Sequence, residues 1–393
     1  MQVCGVICEY NPFHKGHALH LEKARALSGA DYIVCVMSGS VTQRGAFALH
    51  DKWTRARMAL ENGCDLVVEL PVRFSSAPAP EFAGGGVQLL SALGVVTHLS
   101  FGCEKQALPL ISQAAKLFAR ESPELKEALR AHLDLGLPYP RARALAAQQV
   151  YALDGLGEAL SLPNAALAIE YLQALPADIQ GVPVAREGSG YHDGALSALS
   201  SATAIRASLA RGELDAALDA VPCKELLKAA QERGDVHVED ALTKALLYRL
   251  RTMTAGELYR IAGMEEGLEH RFLAAAKTAR TRDELILSVK SKRYTYARLS
   301  RICQNILLGV TQDFARENDA PTYARVLGFR RDAQPLRRAI KDHASIPLVT
   351  KAADYADPLF ALDVLAQDLW SLGCASPELR QSGRDFTTGP VIV

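Results

Sequence analysis

The chain has 393 residues, of which 49% are hydrophobic and 22% charged, with 44 Lys and Arg balancing 44 Asp and Glu. That length suits two or three domains with a sizeable core, and the composition is that of an ordinary globular protein. A formal charge of zero excludes a global field toward nucleic acid, so any such binding must come from a local patch.

No apolar run approaches the roughly 18 residues that span a membrane. Eight cysteines occur without a CxxC pair. With no basic, signal-like start, they read as buried free thiols in a reducing cytoplasm. "VCGVIC" is a continuous apolar run, typical of a strand buried on both faces. "HKGHALHLEKARALSG" follows as a helix closed by glycine. "DYIVCVMSG" predicts a second strand, and "DKWTRARMALENG" a second helix with Asp51 as its N-cap. "DLVVELPV" is a third strand, "PEFAGGGVQLLSALG" is helical in its second half, and "VTHLSFG" is a fourth strand. This alternation predicts an α/β fold with a parallel, Rossmann-like sheet and right-handed crossovers. Ligands in such sheets sit beyond the carboxyl ends of the strands, which is where "CEYNPFHKGH" falls.

From Gln106 to about Gln173 the pattern is mostly helical. "IQGVPVAREGSGYHDG" reads as a strand running into a polar, glycine-rich loop. "SSATAIRASLARG" begins a helix, with Ser200, Ser201 and Thr203 as candidate caps and hydroxyl donors. Beyond about Gly212 the strands are expected to stop. The resulting division is an α/β domain over 1–210 and an all-helical domain over 211–393.

His14 and His17 lie three apart at the mouth of a helix, on one face. Gly16 lets the backbone approach a ligand, and a helix N-terminus favours an anion. Two imidazole donors and a helix dipole make a phosphate site, suited to charge developing on an α-phosphate and departing pyrophosphate. His20, one turn on, reads as a helix-face residue. Thr203 and Arg206 in "SSATAIR" suit the far phosphates. No GxxxxGK[ST] is present, and the glycines at 84–86 fall inside a helix, not after a strand.

"GVICEYNPFHKGHALHL", "SGSVTQRGAFALHDKW", "SFGCE", "LPNAALAIEY", "REGSGYHD", "SSATAIR" and "KSKRYTYARLSRI" occur in one order along nearly the whole chain. In these motifs the chain resembles the tRNA(Met) cytidine acetate ligase family of the HxGH nucleotidyltransferase superfamily. The resemblance implies an enzyme that activates acetate with ATP as acetyl-adenylate and acetylates N4 of the wobble cytidine of elongator tRNA(Met). Pyrophosphate is released, Mg²⁺ accompanies ATP, and no acetyl-CoA is used. It places the ATP site on the loop Ile7 to His20, with Asn11, His14, Gly16 and His17, and on Gly102, Asn164 and Arg186, joined by Ser201. The sequence departs from the family pattern at Ala165, at "SGSVTQRG" and at Ala207.

Gln43, Arg44, Asp51 and Lys52 form a polar loop after the second strand. They either order acetate or the acceptor base, or make a buried ion-pair network. In the second half Lys277, Arg280, Lys290, Lys292, Arg293 and Arg298 cluster with Tyr294 and Tyr296, a pattern that fits an RNA backbone and unpaired bases. Tyr294 and Tyr296 are two apart, so they do not share a helix face. No carboxylate pair marks a protein-bound metal. Two other readings keep less of this: adenylylation of a small phosphorylated metabolite, and a non-catalytic RNA-binding relative.

Overall fold

The computed structural model describes residues 1–151, 153, 155–186, 201–265 and 267–393. The glycine-rich loop over 187–196 and Ser200 lie outside the described residues. The apolar runs form β1 (Val3–Cys8), β2 (Tyr32–Ser38), β3 (Leu66–Leu70), β4 (His98–Cys103) and β5 (Gln180–Ala185). These pair in parallel. The inner strands are largely apolar because helices cover both faces, whereas β5, at the sheet edge, alternates exposed and buried residues. The helices between them are α1 (Lys15–Ser28), α2 (Lys52–Leu60), α3 (Val72–Ser75), α4 (Ala79–Ala92), α5 (Leu108–Ala119), α6 (Pro123–Asp134), α7 (Tyr139–Tyr151), α8 (Leu156–Ser161) and α9 (Pro163–Ala174). After β5 comes α10 (Ala202–Ala210).

Leu90, Ile111 and Ile169 close one face of the sheet, from α4, α5 and α9. Leu21, Met58 and Ile205 close the other, from α1, α2 and α10. Asp51 caps α2 as expected, accepting from Trp53 N at 2.8 Å and Thr54 N at 2.9 Å. Ser201 caps α10, accepting from Ala204 N at 3.3 Å. Helix α4 starts earlier than its pattern implied, because Pro80 is at home in a first helical turn.

The second half is largely helical, and a separate core from Leu246 to Ile306 holds much of it. The strands do not stop near Gly212, however. β6 (Ala324–Phe329), β7 (Leu348–Val349) and β8 (Val391–Ile392) join the same sheet, whose order is β5-β4-β1-β2-β3-β6-β7 with β8 on β6. Strand β6 runs antiparallel to β3. A six-residue apolar run among Ala-, Leu- and Arg-rich helices has no period of its own to mark it as a strand; burial against β3 decides it. The region 211–393 is therefore not all-helical.

The strand order reverses between β1 and β4. From β1 the chain builds β2 and β3 on one side, then returns to add β4 and β5 on the other. That switch point leaves a crevice at the carboxyl ends of β1 and β4. All eight cysteines are free, with Cys4, Cys35 and Cys64 fully buried. Among the described residues no helix is long and apolar enough to cross a membrane.

Candidate active site

The segment after β1 turns into α1 at this crevice. His14 is the N-cap of α1, and its Nδ1 accepts from Gly16 N at 3.1 Å. His17 Nδ1 accepts from His14 N at 3.3 Å, so the two histidines form a reciprocal capping box. Their rings stack at 3.6 Å between centroids. Gly16 is needed for this: a Cβ there would sit 3.0 Å from the His14 ring. An Nδ1 that accepts a backbone N–H carries no proton, so in each neutral ring the proton is on Nε2. The cap thus fixes both imidazoles as Nε2–H donors at a helix N-terminus.

Burial and charge keep these rings neutral. Burial pushes His14 down to about 3, and the Arg186 guanidinium adds to the effect. His17 is held well below its usual value by burial, then by His14, Arg186 and His20. Burial and Arg186 lower His20 to about 4. His20 Nε2 lies 3.2 Å from Ser100 Oγ on β4, so this ring ties α1 to the sheet. His50 and His237, buried elsewhere, are also lowered to about 4, chiefly by desolvation.

These histidines titrate near 6.5 in the unfolded chain. Below that value the unfolded chain binds more protons than the fold does. Their stabilising effect is complete above about pH 6.5 and is lost as pH falls toward 3–4. Stability, and with it the melting temperature, is expected to fall below about pH 6.5, with a limiting slope of roughly 1.4 kcal/mol per pH unit for each such ring. A shallower slope in His237→Gln would support the assignment; a melting temperature independent of pH in wild type would refute it.

The second signature meets the first. Arg206 Nη1 donates to Asn11 O at 2.5 Å, and its Nη2 to Thr203 Oγ1 at 3.2 Å. Asn11 Oδ1 accepts from Leu49 N at 2.8 Å, so Asn11 also positions the segment after β2. Ile7, at the end of β1, packs against Gly86 of α4, where a Cβ would come within 2.7 Å of it.

From the other side of the crevice come Gly102, Asn164 and Arg186. The Arg186 side chain lies across Gly102; a Cβ there would be 3.3 Å from Arg186 Cγ. Arg186 Nη1 reaches Asn164 Oδ1 at 3.5 Å. Asn164 Nδ2 donates to Glu104 Oε1 at 2.7 Å, and Ala165 N to Glu104 Oε2 at 2.8 Å. Glu104 was not singled out from sequence, yet it anchors the N-terminus of α9 and through Asn164 aims Arg186. The signal available was its place in "SFGCE", directly after a strand end.

The structure decides much of the polar loop after β2. Lys52 Nζ sits 2.9 Å from both Glu69 oxygens and 2.8 Å from Asp385 Oδ1, fully buried. Asp51 caps α2 and lies 3.7 Å from Arg384. These two belong to a buried ion-pair network. Gln43 instead ties neighbouring segments together, its backbone N–H donating to Glu9 Oε1 at 2.7 Å and its Nε2 to Ala77 O at 3.2 Å. Arg55, also missed, is fully buried and donates to Glu9 O at 2.7 Å, Ser38 O at 2.9 Å and Gly39 O. A helical arginine reads as a surface residue until its partners are known.

The basic stretch flanks this loop. Arg282 Nη2 donates to Gly45 O at 2.6 Å, and Arg301 Nη1 to Gln43 O at 3.3 Å. Lys277, Lys290 and Lys292 are exposed and carry no ion pair among the described residues. Arg280 pairs with Glu284 at 3.1 Å, and Arg293 and Arg298 with Glu265 at 3.5 and 2.6 Å. Tyr294 is buried in the helical core, whereas Tyr296 is exposed.

A HIGH nucleotidyl transferase family model matches residues 1–385. The tRNA(Met) cytidine acetate ligase of Acetivibrio thermocellus is 37% identical over 417 residues, covering 100% of both chains. That of Halothermothrix orenii is 35% identical, covering 100% of this chain and 99% of its own. Crystal structures of Thermotoga maritima TmcAL match over 100% of both chains. The form bound with alpha-thio ATP has a TM-score of 0.92 at 31% identity, and the apo form 0.93 at 32%. With the histidine cap at the switch point, the SSATAIR helix against it and this likeness over its full length, the chain belongs to the tRNA(Met) cytidine acetate ligase family of HIGH nucleotidyl transferases.

Proposed function

We propose that this protein is an ATP-dependent ligase that activates acetate as acetyl-adenylate and transfers the acetyl group to N4 of the wobble cytidine of elongator tRNA(Met). The observation that carries this reading is the stacked His14–His17 pair, locked as two Nε2–H donors at the N-terminus of α1. An acetate oxygen attacks the α-phosphorus, and the bond to the β-phosphate breaks. Charge building on the α-phosphate and the leaving pyrophosphate meets the two imidazole donors. Thr203 and Arg206 at the start of α10 hold the far end, and Ser201 keeps that helix start in place. Arg186, aimed by Asn164 and Glu104, faces the same crevice, with room left by Gly102.

Mg²⁺ bound with ATP supplies charge neutralisation on the phosphates. Among the described residues no group of three or more His, Cys, Asp or Glu side chains converges on a metal position. The names of the relatives support acetate and tRNA(Met) as the other substrates, and a helical region with its own core supports a large acceptor over a small metabolite.

The test is acetate-dependent exchange of labelled pyrophosphate into ATP, without and then with tRNA. Exchange with acetate is expected, and acetyl-CoA in place of acetate and ATP is expected to give no acetylated tRNA. No exchange under either condition would overturn the reading. For the tRNA surface, Lys292→Glu with Arg293→Glu is expected to leave exchange intact and weaken tRNA binding. The slope of log K against log salt should fall by about two, one for each lost phosphate contact. An unchanged salt slope would remove these two residues from the interface.

A further inference from the structure

Glu9 follows β1 directly and is half-buried at the carboxyl edge of the sheet. Its Oε1 accepts from Gln43 N at 2.7 Å, which leaves Oε2 without a hydrogen bond among the described residues. The Glu9 carbonyl shares Arg55 Nη1 with the Ser38 carbonyl, at 2.7 and 2.9 Å, so the ends of β1 and β2 meet on one guanidinium. The Ser38 hydroxyl beside them is fully buried and has no hydrogen-bond partner among the described residues. The Tyr171 ring is buried nearby against Phe101 of β4, at 5.9 Å between centroids.

The loop that Glu9 grips is itself held by the basic half of the molecule. Gly45 O accepts from Arg282 Nη2 at 2.6 Å and from Ser300 Oγ at 3.2 Å. Gly45 has φ +73, and a Cβ there would lie 2.5 Å from Arg301 N, so only glycine allows this contact. Glu9 therefore stands where the histidine loop meets the segment carried by the cationic helices. At the same edge Glu104 has both oxygens engaged by Asn164 and Ala165.

Acetyl transfer to an amine needs an acceptor for one N–H proton, and a carboxylate is the side chain that suits the exocyclic amine of cytosine. Resting on the function proposed above, we infer that Glu9 meets the N4 amine of the acceptor cytosine and takes its proton. N4 bonds to the acetyl carbon, the bond from that carbon to the adenylate oxygen breaks, and AMP leaves with the electron pair. The N–H proton passes to Glu9 Oε2.

The test is Glu9→Gln, whose amide oxygen still accepts from Gln43 N–H while the base is gone. Three quantities are read: acetyl hydroxamate formed from ATP, acetate and hydroxylamine without RNA; acetyl transfer to tRNA(Met); and tRNA affinity. Hydroxamate formation is expected to fall at least tenfold less than transfer, and affinity to stay within about twofold of wild type. Transfer should fall on the order of 10²-fold and recover in part in Glu9→Asp. Transfer within about threefold of wild type would overturn the assignment. So would a parallel loss of hydroxamate, or an aspartate variant no better than the glutamine one. If wild type forms no hydroxamate with acetate, it is the acetyl-adenylate reading that fails, whatever Glu9 does.

Discussion

Replacing His17 by alanine is expected to lower acetate-dependent pyrophosphate exchange by on the order of 10²–10³-fold, the usual effect of removing one preorganised donor from developing charge. His17 does two things, and they are separable. Its Nδ1 accepts the His14 N–H and so completes the helix cap; its Nε2–H has no hydrogen-bond partner among the described residues. Asparagine places an oxygen near the Nδ1 position but offers nothing at Nε2, whereas glutamine reaches the Nε2 position. His17→Asn should therefore keep the melting temperature close to wild type and lose exchange almost as fully as alanine. His17→Gln should keep part of the exchange. Equal exchange in the asparagine variant and wild type would mean that only the cap matters.

The second large effect is on stability. Lys52→Met is expected to destabilise the fold by about 3–5 kcal/mol, the cost of leaving buried opposite charges without a partner. Lys52 stands between Glu69 and Asp385, and Arg325 completes the group with an ion pair to Asp385 and a 3.7 Å approach to Glu69. Without Lys52, two carboxylates face one guanidinium in a site that water does not reach. The carboxyl of nearby Asp363 is already pushed well up by burial and by the Glu69 charge; it accepts from Tyr323 Oη and from Val72 N at 2.7 Å. Urea unfolding would measure the loss. Lys52→Met with Glu69→Gln should recover much of it, since charge balance returns. A single variant within 1 kcal/mol of wild type would show that water or relaxation compensates the missing charge. The network joins α2 and β3 to the C-terminal segment, so its loss should also expose that segment to proteolysis.

What the sequence by itself determined lies within a few residues of its cause. Apolar runs five to seven residues long become the inner parallel strands because a strand buried on both faces needs no more than that. Asp51 and Ser201 cap helices because a side-chain oxygen reaches an N–H two or three positions on. The His14–Gly16–His17 spacing places two imidazoles on one helix mouth by the pitch of the helix alone. What only the tertiary structure decided depends on partners far along the chain. β6 is a strand because Val67 lies against Gly328. Arg55 and Glu104 matter because carbonyls and N–H groups from other elements converge on them. Asn11 and Asn164, read as ATP contacts, also position Leu49 and Arg186 through atoms that a sequence pattern does not orient. Asp51 and Lys52 resolve to a buried network because Arg384 and Asp385, more than 300 residues away, return to meet them. Local hydrogen bonds and periodicity are written into neighbouring residues; the pairing of buried charges and of distant strands is set only when the chain closes on itself, because desolvation penalises every arrangement that leaves them apart.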